Sequence, residues 1–432
     1  MNVLTKAKSS QVFFLAVVFL LSFSSLAQKT MSENISPWDE MYHLSYIQYV
    51  YDGHLPQPGD PLNTWSREGF SCKPVYPFGT TTDVPCGEIA EPFRYPEGGT
   101  NSAAGWPPIY YSTVAMMLKI PMLFASHPIA YSRVFTAFLW SVGVALIAYV
   151  SLKRHLRKSA VLAVSLIISS LPFAFFHASF ITPHAMIPLL LGLGLLADQL
   201  REQNNWAFRK SALILFAYAL IASLTVPHFS PIVVIIGSIW IIDEIRRGGT
   251  NFRNQWRKTL LFVLASFSTF ISYKFWGFIQ NRRTISWDNS VNASAGQTVI
   301  DVPWTQSSIM ESIWRFIPHS VDRYQFIGPI ESFLSESWGY FLLAGLGALV
   351  CGLAGHIRNS AIALLIVGIG YSLYMQRVAV APVPPRYGIS LVLFGFALIP
   401  NVLKSRAVSY AVLTLAAGTY LLCFNLTPFG MT

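Results

Sequence analysis

Asp39, Glu40 and His43 are the residues whose types and spacing best suit chemistry, and they follow shortly after the first long apolar run. On a helix, residues four apart share one face, and two carboxylates beside an imidazole can exchange protons or hold a divalent cation. A second interpretation is structural: Ser36 caps the helix, Pro37 takes its first position and Asp39 completes a capping box. Glu40 is then only solvated. The residues alone leave both interpretations open.

The composition indicates a membrane protein. The chain is 53% hydrophobic and 12% charged, and apolar runs near the ~20 residues that a helix needs to cross a bilayer recur to its end. The net charge of +10 could suggest nucleic acid, but the basic residues lie between apolar runs, where positive-inside topology explains them. We therefore expect no nucleic acid partner. The sequence also has no P-loop, HExxH or paired CxxC motif, so ATP hydrolysis and zinc proteolysis have no support.

Eleven apolar runs predict an all-α polytopic membrane protein with about 11 transmembrane helices. The predicted spans are residues 12–27, 128–151, 159–178, 184–200, 211–227, 230–245, 259–279, 337–356, 360–377, 387–403 and 407–425. For the first run a cleavable signal peptide ending near Ala27 is the alternative, because small residues follow the apolar core there. Both alternatives bring the following residues to the outer face.

The charges orient this single membrane domain of residues 1–432. The basic cluster 153–158 should be cytoplasmic, so 128–151 crosses inward and 109–125 cannot also cross. We therefore predict that 109–125, like 38–52, is a helix at the outer surface. The N-terminus is then inside and the C-terminus outside, with residues 30–127 as a first outer loop and 280–336 as a second. Most lysines and arginines fall on the inner segments and most acids on the outer ones.

Two cysteines of the first outer loop, Cys72 and Cys86, lie outside the cytoplasm in this topology, where a disulfide is expected. Cys351 and Cys423 fall in apolar runs and are predicted to be core residues. Arg133, near the outer end of a span, is predicted to extend towards the membrane interface.

Further candidate residues lie on the outer side. They are Trp106 and Tyr110, which open the run 109–125, the short-turn residues His177, His184 and His228, the pair Arg282 and Arg283, and Arg386 with Tyr387 at the mouth of a late span. Each has a structural alternative: the aromatic residues can belong to an interfacial belt, the arginines can mark the interface, and His184 can be a polar anchor.

The order of these motifs resembles a known family. Asp39-Glu40 and His43 follow the first span, Trp-Pro-Pro-Ile-Tyr-Tyr opens a helix at 106–111, a basic inner loop follows, and Arg386-Tyr387 precede a late span. This order is similar to the GT-C glycosyltransferases, which include the protein O-mannosyltransferases and the aminoarabinose transferases of lipid A. A bacterial group of multi-span proteins with a Pro-Asp-Glu-x-x-His pattern looks closer still, although here Trp38 separates the proline from the aspartate. The similarity covers the layout of most of the chain but only about 20 residues in motif.

The resemblance implies a GT-C-like transferase at the outer face of the plasma membrane. It would move a sugar from a polyprenyl-phosphate donor to a glycan, lipid or protein acceptor. Membrane lipids would surround the protein as further partners. Asp39 would be the base, Glu40 and His43 would support it or hold a divalent metal, and Arg386 would bind the donor phosphate. Trp106, Tyr110, His184, Arg282, Arg283 and Tyr387 would contact substrate. The resemblance implies no certain cofactor and leaves a divalent metal possible, and the outer loop 177–184 lacks the second acid that several relatives carry.

Two other classes of function remain open. The first is a transporter or flippase of a lipid-linked sugar or small solute, which the number of spans and the many Pro and Gly residues favour. Uncharged span centres and two long outer loops oppose it. The second is an inactive member of the family that serves as an assembly subunit.

Overall fold

The structure, a computed structural model, describes residues 2–30, 34–36, 39–75, 79–247, 252–284, 329–352, 355–378 and 388–425. The α-helices of this part are α1 (Asn2–Thr30), α2 (Glu40–Tyr51), α3 (Thr64–Cys72), α4 (Ile109–Leu118), α5 (Pro128–Lys153), α6 (Lys158–Ser170), α7 (Pro172–Ala178), α8 (Ile187–Gln203), α9 (Phe208–Ser223), α10 (Ser230–Arg247), α11 (Phe252–Arg283), α12 (Pro329–Gly352), α13 (His356–Val378), α14 (Ile389–Leu398) and α15 (Arg406–Asn425). Within the described ranges, short 3-10 turns and isolated bridges are the other regular structure.

Helices occupy all eleven apolar runs that the sequence assigns to spans. In the described part, seven helices are long and apolar enough to cross a membrane. The chain is an all-α polytopic membrane protein, and the number of eleven crossings stays a prediction. The run 159–178 is divided into α6 and α7 at Leu171, whose backbone is extended because Pro172 disfavours the helical conformation of the residue before it.

Helix α5 lies at the centre of the packing, against α1 on one side and α8 on another. Gly143 permits the close approach to α8, since a Cβ at this position would overlap the backbone of Pro188 and Leu189. Helix α15 packs on α6, and α11 packs on α9 and α10. These contacts make one bundle whose helices lead into the outer loops.

Helix α1 is bonded at its C-terminal end to the rest of the bundle. The Lys29 ammonium donates to the Phe424 carbonyl at 3.1 Å, and the Tyr420 hydroxyl donates to the Leu21 carbonyl at 2.7 Å. The Ser179 hydroxyl donates to the Leu26 carbonyl at 3.1 Å. These contacts lie on both sides of Ala27, and whether the chain is cleaved there stays a prediction.

The described part of the first outer loop contains α2, α3, α4 and four 3-10 turns. The structure has the predicted disulfide between Cys72 and Cys86, with Cα atoms 4.4 Å apart. Cys423 is buried as predicted, but Cys351 is exposed, because it lies on the outward side of α12 rather than in the core. Of the second outer loop, only residues 280–284 and 329–336 are among the described residues.

The C-terminal end of α8 belongs to a group of charged residues and one tryptophan that we call the inner-end network. It joins α5, α8, α10 and the start of α13 through Arg154, Asp198, Arg201, Trp240, Asp243 and His356. The Asp198 carboxylate accepts hydrogen bonds from Arg154 and Trp240 at 2.8 Å, and it pairs with His356 at 2.9 Å. Arg154, Asp198, Arg201 and Asp243 belong to segments predicted at the cytoplasmic face, and the structure brings them together.

Candidate active site

Asp39 lies immediately before the first turn of α2, which begins at Glu40. Its backbone is left-handed, with φ 58° and ψ 11°, a conformation that aspartate and asparagine tolerate better than most residues. Its side chain makes no capping hydrogen bond to the helix. The predicted capping box is therefore wrong: the helix starts later than a Ser36 cap requires, because Asp39 turns the chain into it. Pro37 lies outside the described residues.

Glu40 points into the bundle and forms a buried ion pair with Arg133. Arg133 Nε donates to Glu40 Oε1 at 2.7 Å, and Nη2 donates to Oε2 at 2.8 Å. The Ile181 and Ser36 backbone amides donate to the same two oxygens at 3.1 and 2.8 Å. Neither side chain is more than 1% exposed. The interpretation of Glu40 as solvated is thus wrong, and so is the prediction that Arg133 reaches the interface, since a carboxylate inside the protein holds it.

His43 is buried on the next turn of α2, among aromatic rings. Its Nδ1 lies 2.8 Å from the Tyr111 hydroxyl, and its ring meets the ring of Trp106 edge-on with 5.7 Å between centroids. Tyr46 stacks on Tyr111 at 3.8 Å and donates its hydroxyl hydrogen to the Trp106 carbonyl at 3.1 Å. The tyrosines therefore fix the orientation of both the imidazole and the indole.

Three more histidines gather around Trp106. The centroids of the His184 and His228 rings lie 5.6 and 5.7 Å from the Trp106 ring, and these two imidazoles stack 6.0 Å apart. His177 lies 4.9 Å from His184. His177 and His184 belong to one connection, between α7 and α8, and His228 belongs to another, so the fold brings two separate segments to one indole. We call Trp106, His177, His184 and His228 the indole–histidine cluster.

Helix α11 supports this cluster from its C-terminal end. Trp276 Nε1 donates to the Gly105 carbonyl at 3.1 Å, and the Gln280 amide donates to the Ala104 carbonyl at 3.1 Å. Arg283 donates to the Leu55 carbonyl at 2.9 Å. Arg283 thus bonds to the backbone of the first outer loop.

The remaining predicted residues lie apart from the cluster or outside the described part. Arg282 stacks over Phe278, 4.3 Å from the ring centroid. Tyr110 is buried, and its hydroxyl lies 2.8 Å from that of Thr136 on α5, so the neighbouring Tyr111 contacts His43 instead. Arg386 and Tyr387 lie outside the described residues.

A second acid approaches Asp39 from within the first outer loop. Glu97 also has a left-handed backbone, with φ 56°. Partial burial, and then the negative charge of Asp39, raise the pKa of the Glu97 carboxyl, while a hydrogen bond with Ser102 opposes the rise. Burial and the charges of both acids also raise the pKa of the Tyr42 hydroxyl. The loop 177–184 has no acid, but the structure brings a second carboxylate to Asp39 by another route.

Glu97 was missed because no sequence periodicity links it to Asp39. Tyr46, Tyr111, Trp276 and Gln280 were missed for the same reason, although Trp-Pro-Pro-Ile-Tyr-Tyr contains the signal for Tyr111. A pair of tyrosines at the start of a helix always places one ring on each of two faces.

The residues of the site do not fit a metal ion. Within the described ranges, no three His, Cys, Asp or Glu side chains are arranged to hold one. The imidazoles of the indole–histidine cluster pack by their ring faces and edges instead of converging on a point. We derive no chemical step through a metal.

No protein-family model and no curated protein sequence matches this chain. Its fold is similar to the crystal structure of ArnT from Cupriavidus metallidurans bound to undecaprenyl phosphate, with a TM-score of 0.52 and 14% identity. The similarity covers 96% of this chain and 64% of that one, so the chain spans less than two thirds of the length of that protein. ArnT is an aminoarabinose transferase with a GT-C fold. The order of motifs predicted this fold, and the chain has a GT-C-like polytopic membrane fold.

Proposed function

We propose that the chain transfers a sugar from a polyprenyl-phosphate donor to an acceptor hydroxyl at the outer face of the membrane. The observation that carries the proposal is the position of Asp39. Asp39 has a left-handed backbone, and its carbonyl accepts the His43 amide hydrogen at 2.9 Å. His43 contacts Trp106, whose ring lies 5.6 Å from that of His184, in a fold similar to that of a protein bound to undecaprenyl phosphate. Non-glycine residues in such sparsely populated conformations concentrate at functional sites.

In this proposal, Asp39 is the general base. It takes the proton of the acceptor hydroxyl while the oxygen forms a bond to the anomeric carbon of the sugar. The bond between that carbon and the phosphate oxygen breaks, and its electron pair leaves with the lipid phosphate. Attack from the face opposite the phosphate inverts the anomeric centre. Trp106 and His184 contact the substrate on the side of the sugar.

Arg386, with Tyr387 beside it, is proposed to hold the donor phosphate. A guanidinium can bind a phosphate through two parallel hydrogen bonds, which a lysine ammonium cannot do. Ser390, which follows four residues later at the start of α14, donates its hydroxyl hydrogen to the His228 carbonyl at 3.2 Å. The described chain therefore resumes next to the indole–histidine cluster. This connection supports a donor site there.

The test is Asp39→Asn in purified protein reconstituted with an undecaprenyl-phosphate-linked sugar. Asparagine accepts the left-handed backbone, so the variant should fold. We expect turnover per folded molecule to fall by ~10²–10⁴, the usual effect of losing a general base. Arg386→Lys should raise the donor concentration for half-maximal rate while part of the turnover remains.

The matched control is Asp52→Asn, an exposed acid at the other end of α2, which should keep the wild-type rate. Transfer by Asp39→Asn at the wild-type rate would refute the catalytic role. A native mass spectrum of the wild-type protein that retains no polyprenyl phosphate, with no transfer from any lipid-linked sugar, would refute the proposed function as a whole.

The transport alternative has less support. Alternating access requires the helices to separate at each end in turn. The inner-end network ties four helices together through the buried Asp198 carboxylate, whereas the site described above lies at the opposite end of α8. An inner end held together by this network, with the site at the other end of α8, fits a transferase better than a carrier.

A further inference from the structure

The ion pair between Glu40 and Arg133 joins three separate parts of the chain. Besides Glu40, Arg133 donates to the Thr30 carbonyl at 3.2 Å and the Asn34 carbonyl at 2.9 Å, which belong to the end of α1 and the chain that follows it. Its guanidinium also lies over the Phe180 ring, 4.9 Å from the centroid. Glu40 adds the Ile181 amide. The pair therefore connects α5, the chain entering α2 and the turn between α7 and α8.

These contacts make Glu40 unsuited to proton transfer. Each carboxylate oxygen accepts one N–H from Arg133 and one from a backbone amide. With four donors on two oxygens, the ionised form is the one that the site satisfies, because a protonated carboxyl would add a fifth donor. The side chain is fully buried, so no acceptor hydroxyl can reach it.

Arg133 is equally unsuited to binding a phosphate. Its Nε, Nη1 and Nη2 all donate to protein oxygens. A bound phosphate would have to displace a carboxylate inside the protein, leaving that charge buried and unpaired.

We infer that Glu40 and Arg133 are a positioning pair that fixes Asp39 and the turn Phe180–His184 relative to each other. Asp39 is the residue directly before Glu40, and its left-handed backbone allows little adjustment. His184 follows Ile181 closely, and Thr182 Oγ1 lies 2.9 Å from its Nδ1. One ion pair thereby sets the separation between the Asp39 carboxylate and the indole–histidine cluster. The kinetic part of this inference rests on the proposed function, whereas the structural part does not.

The experiment compares the wild type with Glu40→Gln, Arg133→Lys, the double variant Glu40→Gln/Arg133→Met and the control Asp83→Asn. Asp83 pairs with Arg94 at 2.7 Å on the surface of the same loop, so its loss should change nothing measured here. Three quantities are measured: hydrogen exchange of peptides covering 178–186, thermal stability, and transfer as a function of pH and donor concentration.

We expect Glu40→Gln to exchange faster in 178–186, because the Ile181 amide loses a charged acceptor. Turnover should fall about 10–100-fold, the effect of misplacing a catalytic group by about 1 Å. The plot of rate against pH should keep both its acidic and its basic limb. The donor concentration for half-maximal rate should hardly change. Arg133→Lys should show the same pattern more weakly, since the charge remains without the fork. The double variant should regain thermal stability because no buried charge is left unpaired, yet turnover should stay low and exchange fast.

Three outcomes would overturn the inference. If the pH profile of Glu40→Gln loses one of its limbs while hydrogen exchange in 178–186 is unchanged, Glu40 is the catalytic acid or base. A raised donor requirement in Arg133→Lys with unchanged exchange would place the phosphate on Arg133. Full turnover in the double variant would leave the pair a purely stabilising role. If the wild type transfers no sugar, the proposed function fails, and exchange in 178–186 still decides the structural part: faster exchange supports the pair and unchanged exchange refutes it.

Discussion

Asp39 and Glu97 are two of four non-glycine residues with positive φ in the part of the chain that the structure describes. A left-handed conformation costs an ordinary residue roughly 1–2 kcal/mol, and somewhat less for aspartate. Here the cost falls on two acids whose charges also repel each other. Both effects oppose folding, so packing elsewhere must offset them, as is common at functional sites.

Glu97→Gln should stabilise the protein at neutral pH and lose that advantage in acid. The pKa of Glu97 is raised in the folded state above its ordinary value of 4.5. The ionised form is therefore the destabilising one, and the wild type recovers as the pH falls through the raised pKa. We expect a gain of about 0.2–1 kcal/mol near pH 7, the range for partly exposed charges. Thermal unfolding between pH 7 and pH 4 measures it.

The control for this prediction is Glu88→Gln, at an exposed position of the same loop, which should not change the difference between pH 7 and pH 4. A Glu97→Gln advantage that is constant across pH would mean that the hydrogen bonds of the new amide, and not the loss of the charge, decide the effect.

Some of the site could be predicted from residue types, and the rest depended on distant contacts. The sequence singled out Asp39, His43, Trp106 and His184, and the structure places His43 and His184 against the indole of Trp106. The capping box failed because the left-handed turn at Asp39 has no signature in the residues around it. Glu40 was the harder case. Its partner Arg133 lies on α5, whose bounds hydropathy predicts closely, but the sequence did not identify which side of that helix faces the protein interior.

At the scale of helices, hydropathy alone predicted where the long helices lie, but not all of their ends: α11 begins at Phe252 instead of 259, and α12 begins at Pro329 instead of 337. The run 128–151 became α5, Pro128–Lys153, because a bilayer-length apolar run has few other ways to satisfy its backbone. Crossing points between helices were not predictable in this way. They depend on which small residue faces which neighbour, as Gly143 faces Pro188.

Gly143→Ala should destabilise the bundle. The new Cβ would overlap the backbone of Pro188 and Leu189, which cannot move aside as a flexible side chain can. Forcing a methyl group into a packed contact costs about 1–3 kcal/mol. Gly347→Ala, in the middle of α12 with nothing within 4 Å of its added Cβ, is the control and should stabilise by roughly 0.5–1 kcal/mol through helix propensity. Thermal unfolding in detergent compares the two, and equal effects would contradict the close α5–α8 contact.

On the scale of the whole molecule, the polar groups separate into two populations at the ends of the bundle. One end gathers Asp39, Trp106 and His184 from the loops. The inner-end network gathers residues that the positive-inside rule assigns to the cytoplasm, with Asp198 bonded to Arg154 and His356. Segments far apart in sequence thus meet at the end of the bundle to which their charges assign them. This agreement supports the predicted topology.

Asp198→Asn tests whether the inner end is only a structural tie. The amide cannot balance the charge of Arg154, so we expect a loss of about 3–5 kcal/mol, the effect of breaking a buried ion pair. Lys258→Gln, which removes a partly exposed pair with Glu244, should cost no more than about 1 kcal/mol. Transfer per folded molecule should match the wild type in both variants, because the proposed active site lies at the other end of α8. Vesicle assays at a temperature where each variant is folded measure this. If Asp198→Asn folds with wild-type stability but loses turnover, the inner end takes part in the working cycle, and alternating access becomes the better account of the protein.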